Sequence, residues 1–295
     1  MALATMMING TSVHLSEPYE ASFTGDFLGR ANEIQSIIND WRRVAPAKRL
    51  PYHVLLVGPP GVGKNWLAYE ASRICGKKLY MTLAHKGLQP WDLMTKVIES
   101  EKPGKKFDYI LSPLATAMCL GAVFFLDEIC KLSDEALAPL LGVLDDRSYL
   151  DPDFLGGRIH AHPGFRFIAA TTPGDLARNP LVLADGLKRR FRITKVGYPE
   201  REEVDKFLQK RFPFVLKDES DLLGHFWDLW RKSMKDTPPT LDDCNRIFGD
   251  AIGRADDEEN GGGRPLTLER EELPVSVGRK HLEKAFERFL SESRT

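Results

Sequence analysis

The chain is poor in cysteine, almost neutral, and without a long uninterrupted apolar run. Each shortage excludes something. Cys75, Cys119, Cys130 and Cys244 form no C-x-x-C pair and no disulfide-type spacing, which argues against zinc ligation and a cross-linked secreted scaffold; buried thiols of a cytoplasmic protein are expected. A net charge of −1 supplies no global basic field, so nucleic acid is disfavoured as the main partner. MALATMMING has no basic segment leading into an apolar core, and the most apolar stretch, Tyr109 to Leu126, contains Ser112 and Pro113 and runs into Asp127 and Glu128. Neither a signal peptide nor membrane insertion is expected. There is no internal repeat. The 295 residues suffice for a sizeable core divided between two domains.

What is present centres on His53 to Ala68, HVLLVGPPGVGKNWLA: an apolar run, a glycine-rich turn ending in lysine, and the start of a helix. Val54 to Val57 suits a buried parallel strand, and Gly58, Gly61 and Gly63 let backbone N–H groups turn inward around a triphosphate. Lys64 then reaches the β and γ phosphates, and Asn65 stands where such loops carry the Ser or Thr that ligates Mg2+. Downstream, Val123 to Leu126 is another buried strand, delivering Asp127 and Glu128 at its C-terminal end, where ligands sit in open α/β sheets. One carboxylate orders Mg2+; the other orients or deprotonates the attacking water.

The other segments arrange themselves around these two motifs. Residues 1–25 carry little pattern and read as a tail or packed arm. Ile34, Ile37, Ile38 and Trp41 fall at helical spacing, Trp66 to Ile74 continues a helix, and Lys78 to Thr82 is a strand. His85 to Pro90 reads as a loop and Trp91 to Glu99 as a helix, before the charged turn 101–106. Ser133 caps a helix whose Leu137, Leu140, Leu141 and Leu144 face the core, with Asp145, Asp146 and Arg147 closing it. Ser148 to His162 reads as a hairpin with Gly156 and Gly157 at its tip. Phe165 to Ala170 is a strand running into Thr171 and Thr172, which places the Thr172 hydroxyl at the nucleotide edge. Leu181 to Ile193 crowds Lys188, Arg189, Arg190 and Arg192 around Phe191. That cluster is either a solvated helix end or a source of arginine for a neighbouring subunit's phosphate.

Composition changes at Gly197-Tyr198-Pro199 and becomes helical. Helices are expected from Pro199, over Asp218 to Met234 with Leu222, Leu223, Phe226, Trp227 and Trp230 on the apolar side, from Thr240 with Asp243 completing a capping box, and from Ser276 past Phe289. Residues 255–264, acidic and glycine-rich, read as a mobile loop. Arg279 in the first turn of the last helix is unfavourable beside the helix dipole unless an anion is present, which marks it for phosphate.

The blocks SPLATAMCLGAVFFLDEICKLSDEALAPLLGVLDD, GRIHAHPGFRFIAATTP and LADGLKRRFRITKVGYPE follow GPPGVGK in one order. With them the chain resembles the AAA+ ATPases, and more narrowly the MoxR branch of the dynein-related group, over residues 26–290. The resemblance implies an α/β fold: after the tail of residues 1–25, a P-loop NTPase core with a parallel sheet between helices over residues 26–197, then a small all-α lid over 198–295. It implies ATP held by Gly58, Pro59, Pro60, Gly61, Val62, Gly63, Lys64, Asn65, Trp66 and, as sensor 2, Arg279. Mg2+ falls to Asn65 and Asp127, and Glu128 is the catalytic base. Thr172 corresponds to sensor 1, where the branch has Asn, and Arg190 to the arginine finger given in trans, with Arg189 the alternative. Such proteins form homo-oligomeric rings, typically hexamers, that remodel client proteins in a chaperone-like way, often beside a von Willebrand A domain protein. Asn65 and Thr172 depart from the pattern and together imply slow rather than absent hydrolysis. Two further readings stay open: a nucleotide-binding switch or scaffold with little turnover, and a nucleic-acid motor or loader, for which Lys86 and Arg158 are the few available loop cations.

Overall fold

The protein is described by a computed structural model covering residues 4–20, 29–42, 52–100, 103–152, 154–179, 189–216, 220–234, 237–260 and 277–293. Its strands in chain order are β1 (Thr5–Ile8), β2 (Thr11–His14), β3 (His53–Val57), β4 (Leu79–Leu83), β5 (Thr95–Glu99), β6 (Phe107–Leu111), β7 (Val123–Asp127), β8 (Tyr149–Leu150), β9 (Ile159–His160), β10 (Arg166–Thr171) and β11 (Phe191–Lys195). Its helices are α1 (Ala31–Arg42), α2 (Lys64–Ile74), α3 (Pro113–Leu120), α4 (Asp134–Val143), α5 (Pro173–Arg178), α6 (Arg201–Arg211), α7 (Pro213–Leu216), α8 (Ser220–Met234), α9 (Leu241–Asn260) and α10 (Arg279–Ser293). Two compact units result: Met1–Pro59 with Lys64–Val196, and Gly197–Thr295 with Pro60–Gly63. No helix among the described residues is long and apolar enough to cross a membrane.

In the first unit β11, β3, β10, β7 and β4 lie side by side in that order, all parallel. Val54 to Val57 and Val123 to Leu126 are unbroken apolar runs because a parallel sheet is covered on both faces. Val54, Leu55, Phe124, Phe125, Leu126, Ile168 and Ala169 accordingly have no solvent exposure. The expected α/β core with its parallel sheet is therefore present. Strand β10 separates β3 from β7, so the segments that leave these three strands emerge together at the carboxyl edge.

Several expectations are corrected. Residues 1–25 contain a β-hairpin: β1 pairs with β2 antiparallel, Thr5 opposite His14 and Ile8 opposite Thr11. Asn9 and Gly10 at its tip have φ of 48° and 80°, the pair of left-handed residues that a tight hairpin requires. Strand β2 then pairs in parallel with β6, burying Val13 and Leu15. The helix expected over Trp91 to Glu99 is a single 3-10 turn, Pro90–Leu93, followed by β5 paired antiparallel with β6. Thr95, Val97 and Ile98 are β-branched, and the partner strand after the turn decides the conformation of a short mixed segment of ambiguous period. Leu141 is 40% exposed rather than core, because at about 100° per residue it falls some 40° beyond Leu137, outside the buried stripe of Ala136, Leu137, Leu140 and Val143. Cys130 and Cys244 are buried, but Cys75 and Cys119 are partly exposed. The hairpin over Ser148 to His162 forms as β8 against β9.

The second unit is helical, and its aromatic stripe is core. Phe226, Trp230, Phe248 and Phe286 are buried and touch edge-on or tilted, while Leu223 and Trp227 pack at the margin. The acidic run from Ala255 continues helix α9 to Asn260 instead of forming a loop: Ala255 is fully buried, and Glu258 pairs with His281 at 2.8 Å and Lys284 at 3.3 Å on α10. Residues 261–264, Asp218, Ser276 and Lys188 lie outside the described residues. Thr240 caps α9 as expected: Asp243 N–H donates to its Oγ1 at 3.1 Å, and Asp243 Oδ2 accepts from Thr240 N–H at 2.9 Å and from its hydroxyl at 2.7 Å. Replacing Thr240 by Ala removes the two bonds that use its hydroxyl and leaves the one from its backbone N–H, and urea denaturation should show a loss of about 1 kcal/mol; an unchanged midpoint would mean the cap is inert.

Candidate functional site

The loop after β3 is built for close backbone approach. A Cβ on Gly58 would lie 2.3 Å from the Val196 carbonyl oxygen, so no side chain fits there, and Gly58 N–H donates to Thr171 O at 3.2 Å. Gly61 and Gly63 have φ of 74° and 90°, in the region that disfavours every residue with a side chain. Val62 is fully buried, Pro60 is exposed and Pro59 partly so. Lys64 opens α2 and is buried, its Nζ donating to Gly58 O at 3.0 Å and Pro59 O at 2.8 Å. The ammonium is thus folded back onto its own loop. Burial lowers its pKa against the opposing pull of Glu128, Asp127 and Asp175. Asn65 follows on the exposed side, and Trp66 is half-buried with its ring edge-on to Tyr69 at 5.8 Å.

Strand β7 ends in Asp127, nine-tenths buried, whose Oδ1 accepts from Glu128 N–H at 3.0 Å. Glu128 itself is left-handed, with φ 57° and ψ 41°, a conformation that costs a residue with a side chain about 1–3 kcal/mol and is held where function requires it. Its Oε2 is buried without a hydrogen-bond partner; Lys131 Nζ, 3.8 Å away, is too distant to count as one. Burial raises the Glu128 pKa, opposed by Lys131, reinforced by Asp127, opposed by Lys64 and reinforced by Asp175. A strained carboxylate with an unsatisfied buried oxygen is an acceptor waiting for a proton donor.

Thr172 caps α5: its hydroxyl donates to Asp175 Oδ2 at 2.8 Å and accepts from Asp175 N–H at 3.1 Å. Asp175, whose charge acts on both Lys64 and Glu128, is the carboxylate that sequence reasoning missed. The signal was present as T-x-x-D, a capping box starting at Thr172. Asn179 Nδ2 donates to Cys130 O at 3.1 Å, tying the end of α5 to the turn that follows Glu128.

The structure thus gathers Lys64, Asp127, Glu128 and Thr172 at one sheet edge. Arg190 stands elsewhere in the same unit, 3.9 Å from Asp145, while Arg189 beside it is exposed. Arg279 is the first residue of α10 in the helical unit, ion-paired with Asp221. The anion expected at that helix start is here a carboxylate.

Among the described residues no group of three or more His, Cys, Asp or Glu could hold a metal, so an all-protein cage is absent. Mg2+ characteristically takes one or two carboxylates and completes its shell with phosphate and water. Buried Asp127 supplies such a carboxylate, and the exposed amide of Asn65 at the start of α2 offers a neutral oxygen beside it in that donor set.

Residues 53–191 match the family model described as AAA domain, dynein-related subfamily. An uncharacterized protein of Staphylococcus saprophyticus is 31% identical over 182 residues, 61% of this chain and 67% of that protein. YojN of Bacillus subtilis is 34% identical over 168 residues, 57% of this chain and 54% of YojN. NorQ of Paracoccus denitrificans is 34% identical over 158 residues, 53% of this chain and 56% of NorQ. The matched segments therefore span from about half to two thirds of these relatives.

Proposed function

Because the chain belongs to the dynein-related AAA family, we propose that it is a MoxR-type ATPase that binds MgATP and hydrolyses it slowly at sites shared between copies in a ring. Turnover remodels or activates a partner protein, for which a von Willebrand A domain protein is the first candidate. Its free thiols suit a cytoplasmic location. The observation that carries the reading is Glu128: a half-buried, left-handed residue whose carboxylate keeps one buried, unpartnered oxygen, next to Asp127 and in the field of Lys64.

The roles follow from the chemistry of each group. Lys64 exchanges its two loop carbonyls for phosphate oxygens, and the left-handed glycines present N–H groups to the same anion. Glu128 Oε2 accepts a hydrogen bond from water and takes its proton as the nucleophile attacks the γ phosphorus. Asp127 and Asn65 would hold Mg2+, which would supply positive charge beside the phosphates. Arg190 adds positive charge to a neighbour's site, and Arg279 would reach phosphate by leaving Asp221.

Phosphate release from MgATP over a protein concentration series tests the shared site. The rate per subunit should rise with concentration; a constant rate, together with an Arg190→Ala variant of undiminished rate, would overturn it. The switch reading rests on Asn65. Its amide oxygen is a neutral ligand on a longer arm than a hydroxyl, and Mg2+ tolerates poor octahedral geometry badly. Asn65→Thr should therefore speed turnover roughly tenfold, the equivalent of about 1.4 kcal/mol in the barrier. No acceleration would show that Asn65 is not the brake.

A further inference from the structure

We infer that Asp145 is a positioning residue for the arginine given in trans: it sets the place of Arg190 for the neighbouring copy's phosphate. This rests on the shared-site reading above. Asp145 follows Leu144, the C-cap of α4, where the exposed carbonyls of a helix end already favour a cation. Its side chain is only 14% exposed. Arg147 grips it from one side: the Arg147 backbone N–H donates to Oδ1 at 2.8 Å, Nε donates to Oδ2 at 2.8 Å, and Nη2 also bonds Oδ2. Burial alone would raise this carboxyl, but the hydrogen bonds from Arg147 and the charges of Arg147 and Arg190 outweigh it and hold the pKa below its ordinary value.

The carboxylate is therefore a fixed, ionised post whose orientation is set by Arg147. Arg190 Nη2 stands 3.9 Å from Oδ2, beyond hydrogen-bond range. At that separation attraction confines the guanidinium to one side of α4 without locking it to Asp145 as a bonded partner. Phe191, the next residue, is buried and begins β11, so the backbone carrying Arg190 is anchored by the sheet while Asp145 directs its side chain. A finger contributes by geometry, and a displacement of about 1 Å costs on the order of a hundredfold.

Mixed assemblies separate this role from a structural one. Glu128→Gln subunits lack a base but still offer Arg190; Arg190→Ala subunits keep the base but offer no finger. Mixed in equal amounts, they should hydrolyse MgATP faster than the sum of the two alone. Adding Asp145→Asn to the Glu128→Gln subunit, which donates the finger, should reduce that gain by roughly ten- to a hundredfold. Asp145→Asn in the Arg190→Ala subunit should leave the gain intact, and Asp145→Glu in the donor should restore part of it. Equal gains with and without Asp145→Asn in the donor would overturn the role of Asp145, as would an equal loss from either placement, the mark of a merely structural residue. Absence of any gain in the reference mixture would instead overturn the shared-site reading.

Discussion

Substituting Glu128 by Gln is expected to lower steady-state ATP turnover by roughly 10²–10⁴-fold, the usual contribution of a positioned general base, while the dissociation constant for MgATP changes little. The substitution preserves shape and removes only the ability to take a proton. In this protein the separation should be clean. The carboxylate's Oε2 has no hydrogen-bond partner, and its loose ion pair with Lys131 spans 3.8 Å, so little structure depends on its charge. The left-handed backbone at Glu128 is equally available to Gln. Equilibrium binding of a fluorescent ATP analogue beside phosphate release decides the matter: if both fall together, Glu128 organises the site and is not its base.

Lys64→Met should have the opposite signature, with nucleotide binding lost first. A charge-assisted bond to phosphate is worth about 1.5–3 kcal/mol. An ammonium reaching two phosphates should thus weaken binding by roughly 10²–10⁴-fold when removed. Nucleotide-free stability should scarcely change, because two effects oppose one another. Gly58 O and Pro59 O lose their donor, which costs about 1–3 kcal/mol for an acceptor that is left buried. Against that, an ammonium disfavoured by burial is replaced by an apolar chain of similar length. Calorimetric titration with ATP and a thermal melt of the apoprotein check the two halves. A variant that binds ATP normally would remove Lys64 from the phosphate site, whereas a large drop in the apoprotein melting temperature would make it a structural residue.

Both variants act on residues that are recognisable in consecutive stretches. The apolar run, the glycines and Lys64 follow one another directly, and Asp127 and Glu128 follow a strand that is apolar throughout. Short-range spacing carries this information because glycine conformation, helix caps and strand burial depend on neighbours within a few residues. The same holds for Ser133 and Thr240, whose caps form as their spacing indicates. Asn9-Gly10 and T-x-x-D at Thr172 were equally local signals, so the hairpin and Asp175 were within reach of the same reasoning.

The rest depended on residues far apart. Thr95 to Glu99 is a strand because Phe107 to Leu111 returns beside it, and a five-residue segment of mixed polarity does not announce its period until that partner arrives. The separation of β3 from β7 by β10 decides that a lysine and two carboxylates more than sixty residues downstream share an edge. Likewise the meeting of Asp145 with Arg190 joins the end of a helix to the start of a strand. Residue order sets local backbone conformation and the chemistry each segment offers. Which segments face each other is decided by strand pairing and apolar burial summed over the whole chain, and no short window contains that sum.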